Sequence, residues 1–154
     1  MNAPKEAYTY DFAYRSVARD DRVLVYTNKD AIELSREFTF DIDAPADNAL
    51  DHLAASIVGG IMLHVRSDAG KAGIETDDLE GRMELSLANP LSALGVIGYD
   101  EPPAISRCML TVYLYADLAE SEFESFMKRS LEKCLMYQTM QKAFPLEVRF
   151  VQIL

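Results

Sequence analysis

Two cysteines, Cys108 and Cys134, are the strongest nucleophiles that this sequence offers. Cys134 comes at the end of an amphipathic segment, SLEKCLMYQ, beside Lys133, and a thiol there could do redox chemistry if a nearby cation stabilised its thiolate. Free cysteine is also among the most buried residue types, so a plain core role for Cys134 stays open. Cys108 lies in the middle of an apolar strand pattern, where the core role is favoured more strongly. Cys134 is therefore the better candidate for a reactive thiol.

Arg36 is the second candidate for a functional site. It shares an alternating pattern with Ile32 and Leu34, on the strand face that should point inward. Burying an unpaired guanidinium is costly, so a carboxylate or a ligand should meet it. Asp51, in the first turn of the following helix, could be that carboxylate. Two alternatives stay open: a break in the strand at Ser35 and Arg36 would turn the arginine outward, and Asp51 could simply face the helix dipole.

Several kinds of site receive no support from the residues. His52 and His64 are too far apart on one predicted helix to chelate a single ion, and there is no cluster of cysteine and histidine. The sequence contains no HExxH, GxSxG, GxGxxG or Walker motif. We therefore expect no metal, no cofactor and no serine-hydrolase chemistry.

Composition favours a single domain covering residues 1–154. The formal net charge of −10, from 15 basic and 25 acidic residues, disfavours nucleic acid and anionic membranes as partners. The start, MNAPKEAYTYD, lacks the apolar segment of a signal peptide, and no apolar run reaches the ~20 residues that span a bilayer. Two cysteines without CxxC spacing form no disulfide framework, so we expect a cytoplasmic protein.

The element that must position these side chains is an apolar helix interrupted by a glycine pair, Gly59-Gly60. The segment NALDHLAASIVGGIMLHVR, residues 48–66, is apolar almost all round, which predicts a buried central helix. Each glycine inside a helix costs about 1 kcal/mol relative to alanine, so two adjacent ones need a reason. Either another backbone packs closely here, or a functional side chain is absent.

The rest of the chain alternates between strand and helix patterns. Tyr8–Tyr14, Arg22–Thr27 and Ile32–Ile42 are predicted to form an antiparallel meander that needs a partner layer. Further strands are expected around residues 83–87, 106–115 and 146–154. A second helix follows Asp117 and Glu120, which have capping-box spacing. Its expected apolar stripe consists of Phe123, Phe126, Met127, Leu131, Cys134 and Leu135.

This order predicts an α+β fold, βββ-α-ββ-α-β, with antiparallel sheets around the buried helix. Residues 89–104 form an unusually long loop rich in proline and glycine, for which a functional role and a plain connector are equally open.

Four segments in this order resemble the OsmC/Ohr family of thiol-dependent hydroperoxide reductases over nearly the whole chain. The opening NALDHLAAS is similar to the start of that family's central helix, with Asp51 where an acid is usual. GKAGIETDDLEGRMELSL resembles the stretch in which the helix ends at a glycine and a strand follows. DLAESEFESFMKRSLEKC is similar to the second helix, which ends in an EKCPV motif, and LEVRFVQIL resembles the closing strand.

The resemblance implies an intertwined homodimer in which two cysteines reduce the peroxide. One cysteine in the central helix attacks as thiolate, and a second resolves the sulfenic acid as a disulfide. Cys134 falls on the resolving position, whereas the attacking position falls on Gly60. Leu135 replaces the usual proline, and Arg36 is a loosely spaced counterpart of the family's site arginine. Because glycine carries no nucleophile, the two-cysteine cycle is not expected to operate.

Three functions follow as hypotheses. The first is a homodimer without peroxidase activity that binds a small apolar or peroxide-like ligand near Gly60, Asp51, Arg36 and Cys134. The second is a one-cysteine thiol peroxidase in which Cys134 attacks. The third is a dimeric interaction module without a pocket, which is favoured if Met62, Met136 or Tyr137 fills the space around Gly60.

Overall fold

A computed structural model describes residues 10–44 and 46–153 of the chain. The chain forms two compact units, Met1–Asp51 and His52–Leu154. The first unit contains three strands and the start of a long helix, and the second contains the rest of that helix, three further strands and three helices. The predicted α+β class is confirmed, with two three-stranded sheets and four helices.

The first unit is an antiparallel meander of β1 (Arg15–Arg19), β2 (Arg22–Tyr26) and β3 (Ala31–Leu34). A turn at Asp20-Asp21 joins β1 to β2, and Asp20 there has a positive φ of 54°. The first predicted strand was wrong in position, because the residues from Tyr10 to Tyr14 are not in a strand and Tyr8 lies outside the described residues. Alternating aromatic residues satisfied the strand pattern, but the strand that pairs across the hairpin turn is Arg15–Arg19.

The two faces of the β1–β3 sheet differ in polarity. Cross-strand pairing places β-branched and other apolar side chains together on one face, which we call the apolar face of the β1–β3 sheet: Ala18, Val23, Val25, Ile32 and Leu34. The opposite face is mixed: it carries Val17, Leu24 and Tyr26 together with charges, including an ion pair of 2.6 Å between Arg22 Nη1 and Glu33 Oε1. In these three strands, all of which are described, no residue is buried. The predicted need for a partner layer is therefore not met within this unit.

The strand predicted to run from Ile32 to Ile42 ends at Leu34. Ser35 is buried there: its Oγ donates to the carbonyl of Ala46 at 2.8 Å and its N–H donates to the carbonyl of Asp47 at 3.2 Å. These hydrogen bonds connect Ser35 to the irregular segment before α1 and take the place of the pairing that a longer β3 would make. The break turns Arg36 outward.

The second unit packs helices against one face of a mixed sheet. Helix α1 (Ala49–Lys71) begins in the first unit, and β4 (Thr76–Ala88) and β5 (Ala104–Ala116) pair antiparallel. Helix α2 (Pro90–Ala93) is a single turn within the predicted long loop. Helices α3 (Glu120–Glu132) and α4 (Leu135–Met140) then lead to β6 (Leu146–Ile153). Strand β6 runs parallel to β5, so the expectation of purely antiparallel sheets was wrong here.

The core of this unit follows directly from residue spacing. Helix α1 buries Ile57, Ile61, Val65 and Ala69, which recur every four residues and so line one stripe. Strand β5 buries every second residue: Cys108, Leu110, Val112, Leu114 and Ala116. Helix α3 adds Phe123 and Met127, and Cys134 follows that helix. The prediction of a helix buried on all sides is not met within the chain, since Leu63 is 68% exposed.

The ends of α3 also differ from expectation. Ala119 precedes the helix, and its N–H donates to Glu122 Oε2 at 3.4 Å, so the predicted pair of Asp117 and Glu120 is not the cap. The predicted buried stripe ends at Cys134, because the next residue, Leu135, is 77% exposed. Within the described part of the chain, no helix is long and apolar enough to cross a membrane.

Gly81 in the middle of β4 permits close packing of α1 on the sheet. A Cβ at this position would lie 2.6 Å from Met62 Sδ and 3.2 Å from Val58 Cγ1. Gly81→Val is therefore expected to lower the free energy of unfolding by about 1–3 kcal/mol through overpacking. Gly70→Ala is the control, because no heavy atom lies within 4 Å of its would-be Cβ, and it should stabilise the helix by about 1 kcal/mol. Urea unfolding of both variants measures the difference, and equal effects would contradict the prediction.

Candidate functional site

The two glycines of α1 have different surroundings. A Cβ added to Gly60 would lie 2.5 Å from Met136 Cγ, 3.2 Å from Met136 Cβ and 3.9 Å from Met136 Sδ. Met136, in the first turn of α4, therefore fills the space that a side chain at position 60 would occupy. A Cβ added to Gly59 would have no heavy atom within 4 Å. A side chain, and not the other backbone that was considered from the sequence, thus packs closely on Gly60, and Gly59 faces open space in the single chain.

Cys134 lies at the junction of α3 and α4, where its side chain is only 1% exposed. Its N–H donates to the carbonyl of Leu131 at 3.2 Å, and its carbonyl accepts from the N–H of Gln138 at 2.9 Å. The side chain of Gln138 donates to the Leu131 carbonyl as well, at 3.0 Å. These bonds fix the bend between the two helices and hold the thiol inside the core.

Cys108 is fully buried at the start of the buried part of β5, and burial raises the pKa of its thiol. Both cysteines are free. The core role that the sequence favoured for Cys108 matches this burial.

Neither thiol is expected to react quickly with a water-soluble disulfide reagent in the folded protein, whereas both should react after unfolding in guanidinium. The raised pKa of Cys108 also sets a pH dependence: its stabilising contribution is complete below the ordinary thiol value of 9.0 and is lost as pH rises through the folded-state value. The free energy of unfolding should therefore fall above pH 9.0, and it should fall less steeply in Cys108→Ala. Rapid labelling of native Cys134 would contradict the first expectation.

Arg36 does not point into the fold, since its residue is exposed after the end of β3. Of the two orientations that the sequence left open, Arg36 has the outward one, and the strand break at Ser35 is the reason. Its backbone is used instead: the carbonyl of Arg36 accepts from the N–H of Ala49 at 2.7 Å. Among the described residues, no ion pair involves this guanidinium.

Asp51 caps α1. The Oδ1 of Asn48 accepts from the N–H of Asp51 at 2.9 Å, and Asp51 Oδ2 accepts from the N–H of Asn48 at 3.1 Å. This reciprocal pair satisfies two donors at the helix start, as a capping box does. Asp51 also borders an open hollow of about 490 Å³ that carries Asp41 and Asp47 beside Phe40. Three carboxylates in its lining disfavour an anionic ligand there.

A polar cluster that the sequence did not reveal joins α1 to α3. Ser130 is 2% exposed, and its hydroxyl donates to Asp68 Oδ2 at 2.9 Å. His64 Nε2 lies 3.0 Å from the Ser130 carbonyl and 3.3 Å from Asp68 Oδ2, so Nε2 carries the proton and donates. From the sequence, the spacing of four residues between His64 and Asp68 could have indicated a pair on one helix face. Their common partner, Ser130, could not have been found in this way because it is more than 60 residues away. Because the serine hydroxyl donates to the carboxylate, this is not a nucleophile activated by a histidine base.

These positions together leave little chemistry at the helix centre. Gly60 offers no nucleophile, Met136 occupies its space, and both thiols are in the core. Within the described part of the chain, no group of three histidine, cysteine or carboxylate side chains is placed to hold a metal ion. The structure brings the Cys134 segment to Gly60 through Met136. Arg36 and Asp51 belong to the other unit, where backbone bonds and a helix cap account for their contacts.

Comparison with solved structures shows the same fold in several bacterial proteins. An OsmC-like protein from Mycoplasma pneumoniae superposes with a TM-score of 0.75 at 14% identity, covering 94% of this chain and 99% of that one. A protein from Legionella pneumophila described as organic hydroperoxide resistance protein OsmC gives 0.63 at 13% identity, covering 94% and 100%. The organic hydroperoxide resistance protein OhrB of Bacillus subtilis gives 0.58 at 14% identity, covering 91% and 98%.

Sequence comparison points to the same family. A search of curated proteins finds no match. The family model described as OsmC-like protein matches residues 42–149, which include the glycine pair, both cysteines, β4, β5 and the first half of β6. With more than half of its length matched, this chain belongs to the OsmC family.

Proposed function

We propose that this protein is a self-associating member of the OsmC family that does not reduce hydroperoxides by the two-cysteine cycle and acts as a non-catalytic interaction module. The observation that supports the proposal is the contact of Met136 with Gly60, where a side chain at position 60 would need the same space. Several structural neighbours are named organic hydroperoxide resistance proteins. Their identity to this chain is 14% or less, so their names describe those proteins alone.

The loss of the peroxidase cycle follows from what cleavage of an O–O bond requires. A thiolate must align with the peroxide and then be resolved by a second thiol. Cys134 remains at the resolving position, but no thiol stands at position 60 to form the sulfenic acid. Attack by Cys134 alone would need its side chain to reach solvent, and only 1% of it is exposed.

A small ligand beside Gly60 is less well supported than an interaction module. The thioether of Met136 occupies the space that the absence of a side chain would otherwise leave open. A small apolar or peroxide-like ligand could enter only if this side chain moved. Asp51 and Arg36, the other residues considered for such a pocket, are accounted for by a helix cap and by exposure to solvent.

Self-association is supported by the outer face of α1, which we define as His52, Ala55, Ser56, Gly59, Leu63 and Arg66. Leu63 is 68% exposed in the middle of this face, and Gly59 leaves open space beside it. A glycine inside a helix destabilises it, and this cost can be offset if the missing side chain allows a second helix to approach closely. A second copy of the chain can provide that helix.

The apolar face of the β1–β3 sheet is an independent argument for a partner. Three short strands with no buried residue are marginal in water without a packed layer. Val23 and Ile32 on that face are 36% and 41% exposed. A second copy of the chain that covers this face would bury the apolar surface that the first unit leaves open. Two free cysteines are consistent with the proposed cytoplasmic location.

Peroxidase activity tests the proposal directly. Purified wild-type protein, supplied with a dithiol and an organic hydroperoxide, is expected to consume peroxide no faster than Cys134→Ser. The physical reason is that the reaction lacks its attacking thiol. Turnover well above that of Cys134→Ser would overturn the proposal and favour the one-cysteine mechanism. Sedimentation of the same samples tests the dimer separately.

A further inference from the structure

The sulfur that lies beside Gly60 is a thioether. Met136 Sδ is 3.9 Å from the position that a Cβ at Gly60 would take, and Met136 Cγ is closer still. Both thiols are sequestered, with Cys108 at 0% and Cys134 at 1% exposure, whereas Met136 is only partly buried. Met136 is thus more accessible than either thiol, and unlike a thiol it needs no deprotonation to accept an oxygen atom.

We propose that Met136 is a site of oxidation by hydroperoxides, and that its sulfoxide releases α4 from α1. The inference rests on the proposed absence of the thiol peroxidase cycle. The sulfur lone pair forms a bond to the terminal oxygen of the hydroperoxide while the O–O bond breaks. The departing alkoxide takes the hydroperoxide proton and leaves as an alcohol. The thioether is oxidised by two electrons to the sulfoxide, and the peroxide is reduced by two.

The release of α4 follows from the packing around the thioether. Helix α4 has only six residues, and Met136, Tyr137 and Met140 are the side chains that pack it against the core. The Cβ and Cγ of Met136 lie close to α1 where Gly60 lacks a Cβ, and the sulfur is 3.9 Å from that position, so an oxygen added to the sulfur needs space beside α1 and brings polarity into an apolar contact. An unpaired polar group there is costly, and sulfoxide formation disrupts methionine-rich packing in general.

The chain itself provides matched controls. Met109 lies on the opposite face of the second sheet, with its Sδ 3.5 Å from Arg107 Nη2, so its oxidation leaves α4 untouched. Met140 shares α4 and packs against the core, but the three atoms nearest to the would-be Cβ of Gly60 all belong to Met136. Met127 is buried at 3% exposure and reports oxidation of unfolded protein.

The experiment treats intact protein with tert-butyl hydroperoxide without thiols, and combines peptide mass spectrometry with amide hydrogen exchange. Met136 should be converted to its sulfoxide before Met127. Amide protection of residues 135–140 should fall about tenfold to a hundredfold in the oxidised fraction, as expected for burial of an unpaired polar group. The protection should be insensitive to peroxide in Met136→Leu and should still fall in Met109→Leu and Met140→Leu.

Three results would overturn the inference. Met136 could stay reduced while Met127 is oxidised, the oxidised wild-type protein could keep its protection, or the loss could persist in Met136→Leu. The first two use the wild-type chain and do not depend on the folding of any variant. Catalytic turnover with a dithiol would instead contradict the proposed function, so the two failures are distinguishable.

Discussion

Replacing Gly60 with cysteine is expected to lower the free energy of unfolding by about 1–3 kcal/mol, the usual cost of overpacking a filled site. The new Cβ would stand 2.5 Å from Met136 Cγ and 3.2 Å from Met136 Cβ. Neither atom is the free end of the side chain, so turning the thioether alone does not relieve the clash. The helix α4 or the rotamer of Met136 must shift. Denaturant unfolding in reducing buffer measures the loss.

A double-mutant cycle combines Gly60→Cys with Met136→Ala. The second substitution shortens the side chain that a residue at position 60 would meet. Alone it should destabilise the protein, because it leaves a cavity beside Gly60. Combined with Gly60→Cys, it should recover part of the loss, with a coupling of about 0.5–3 kcal/mol between the two sites. Gly70→Cys is the control, since its surroundings are open and it should show no coupling with Met136→Ala. Additive effects at positions 60 and 136 would show that they do not compete for space.

Substituting aspartate for Leu63 is expected to weaken self-association by about thirtyfold or more, since a central apolar contact of an interface contributes about 2 kcal/mol or more. Leu63 is already 68% exposed in the single chain, so the charge costs little folding free energy within the monomer. Analytical ultracentrifugation over a range of protein concentrations measures the dissociation constant.

Ile97→Asp is the matched control for that substitution. Ile97 is 98% exposed in the connection between β4 and β5, so the same change of charge is made outside the outer face of α1. The control should leave the dissociation constant unchanged. A wild-type protein that sediments as a monomer at all concentrations, or equal effects of both aspartates, would contradict the proposed interface.

The sequence was sufficient for the fold class and for most elements of the second unit. Apolar residues recur every four positions in α1 and every second position in β5, because one face of each element packs into the core. The direction of β6 could not be predicted in this way, since parallel and antiparallel neighbours can carry the same alternating pattern. In the first unit, alternation was misleading: Phe38 and Phe40 continue the pattern of β3, but the buried bonds of Ser35 end the strand before them.

The candidate site was harder to predict than the fold. That Gly60 lacks a nucleophile is evident from the sequence, but its filling by Met136 depends on a contact between residues 76 positions apart. Alternation could not decide whether Arg36 faces inward or outward; it is exposed, because the buried hydrogen bond of Ser35 ends the strand before it. The sequence left two roles open for Asp51, as a partner of Arg36 or as an acid that faces the helix dipole. Its reciprocal hydrogen bonds with Asn48 are those of a helix cap.

The contact between Gly60 and Met136 also constrains how this protein can change by mutation. A single substitution that introduces a thiol at position 60 meets an occupied space, and a single substitution that shrinks Met136 opens a cavity before any thiol is present. Either first step is disfavoured, so any route to a thiol at the helix centre passes through a less stable intermediate. Positions 60 and 136 are therefore expected to change together, because each opposes a substitution made at the other alone.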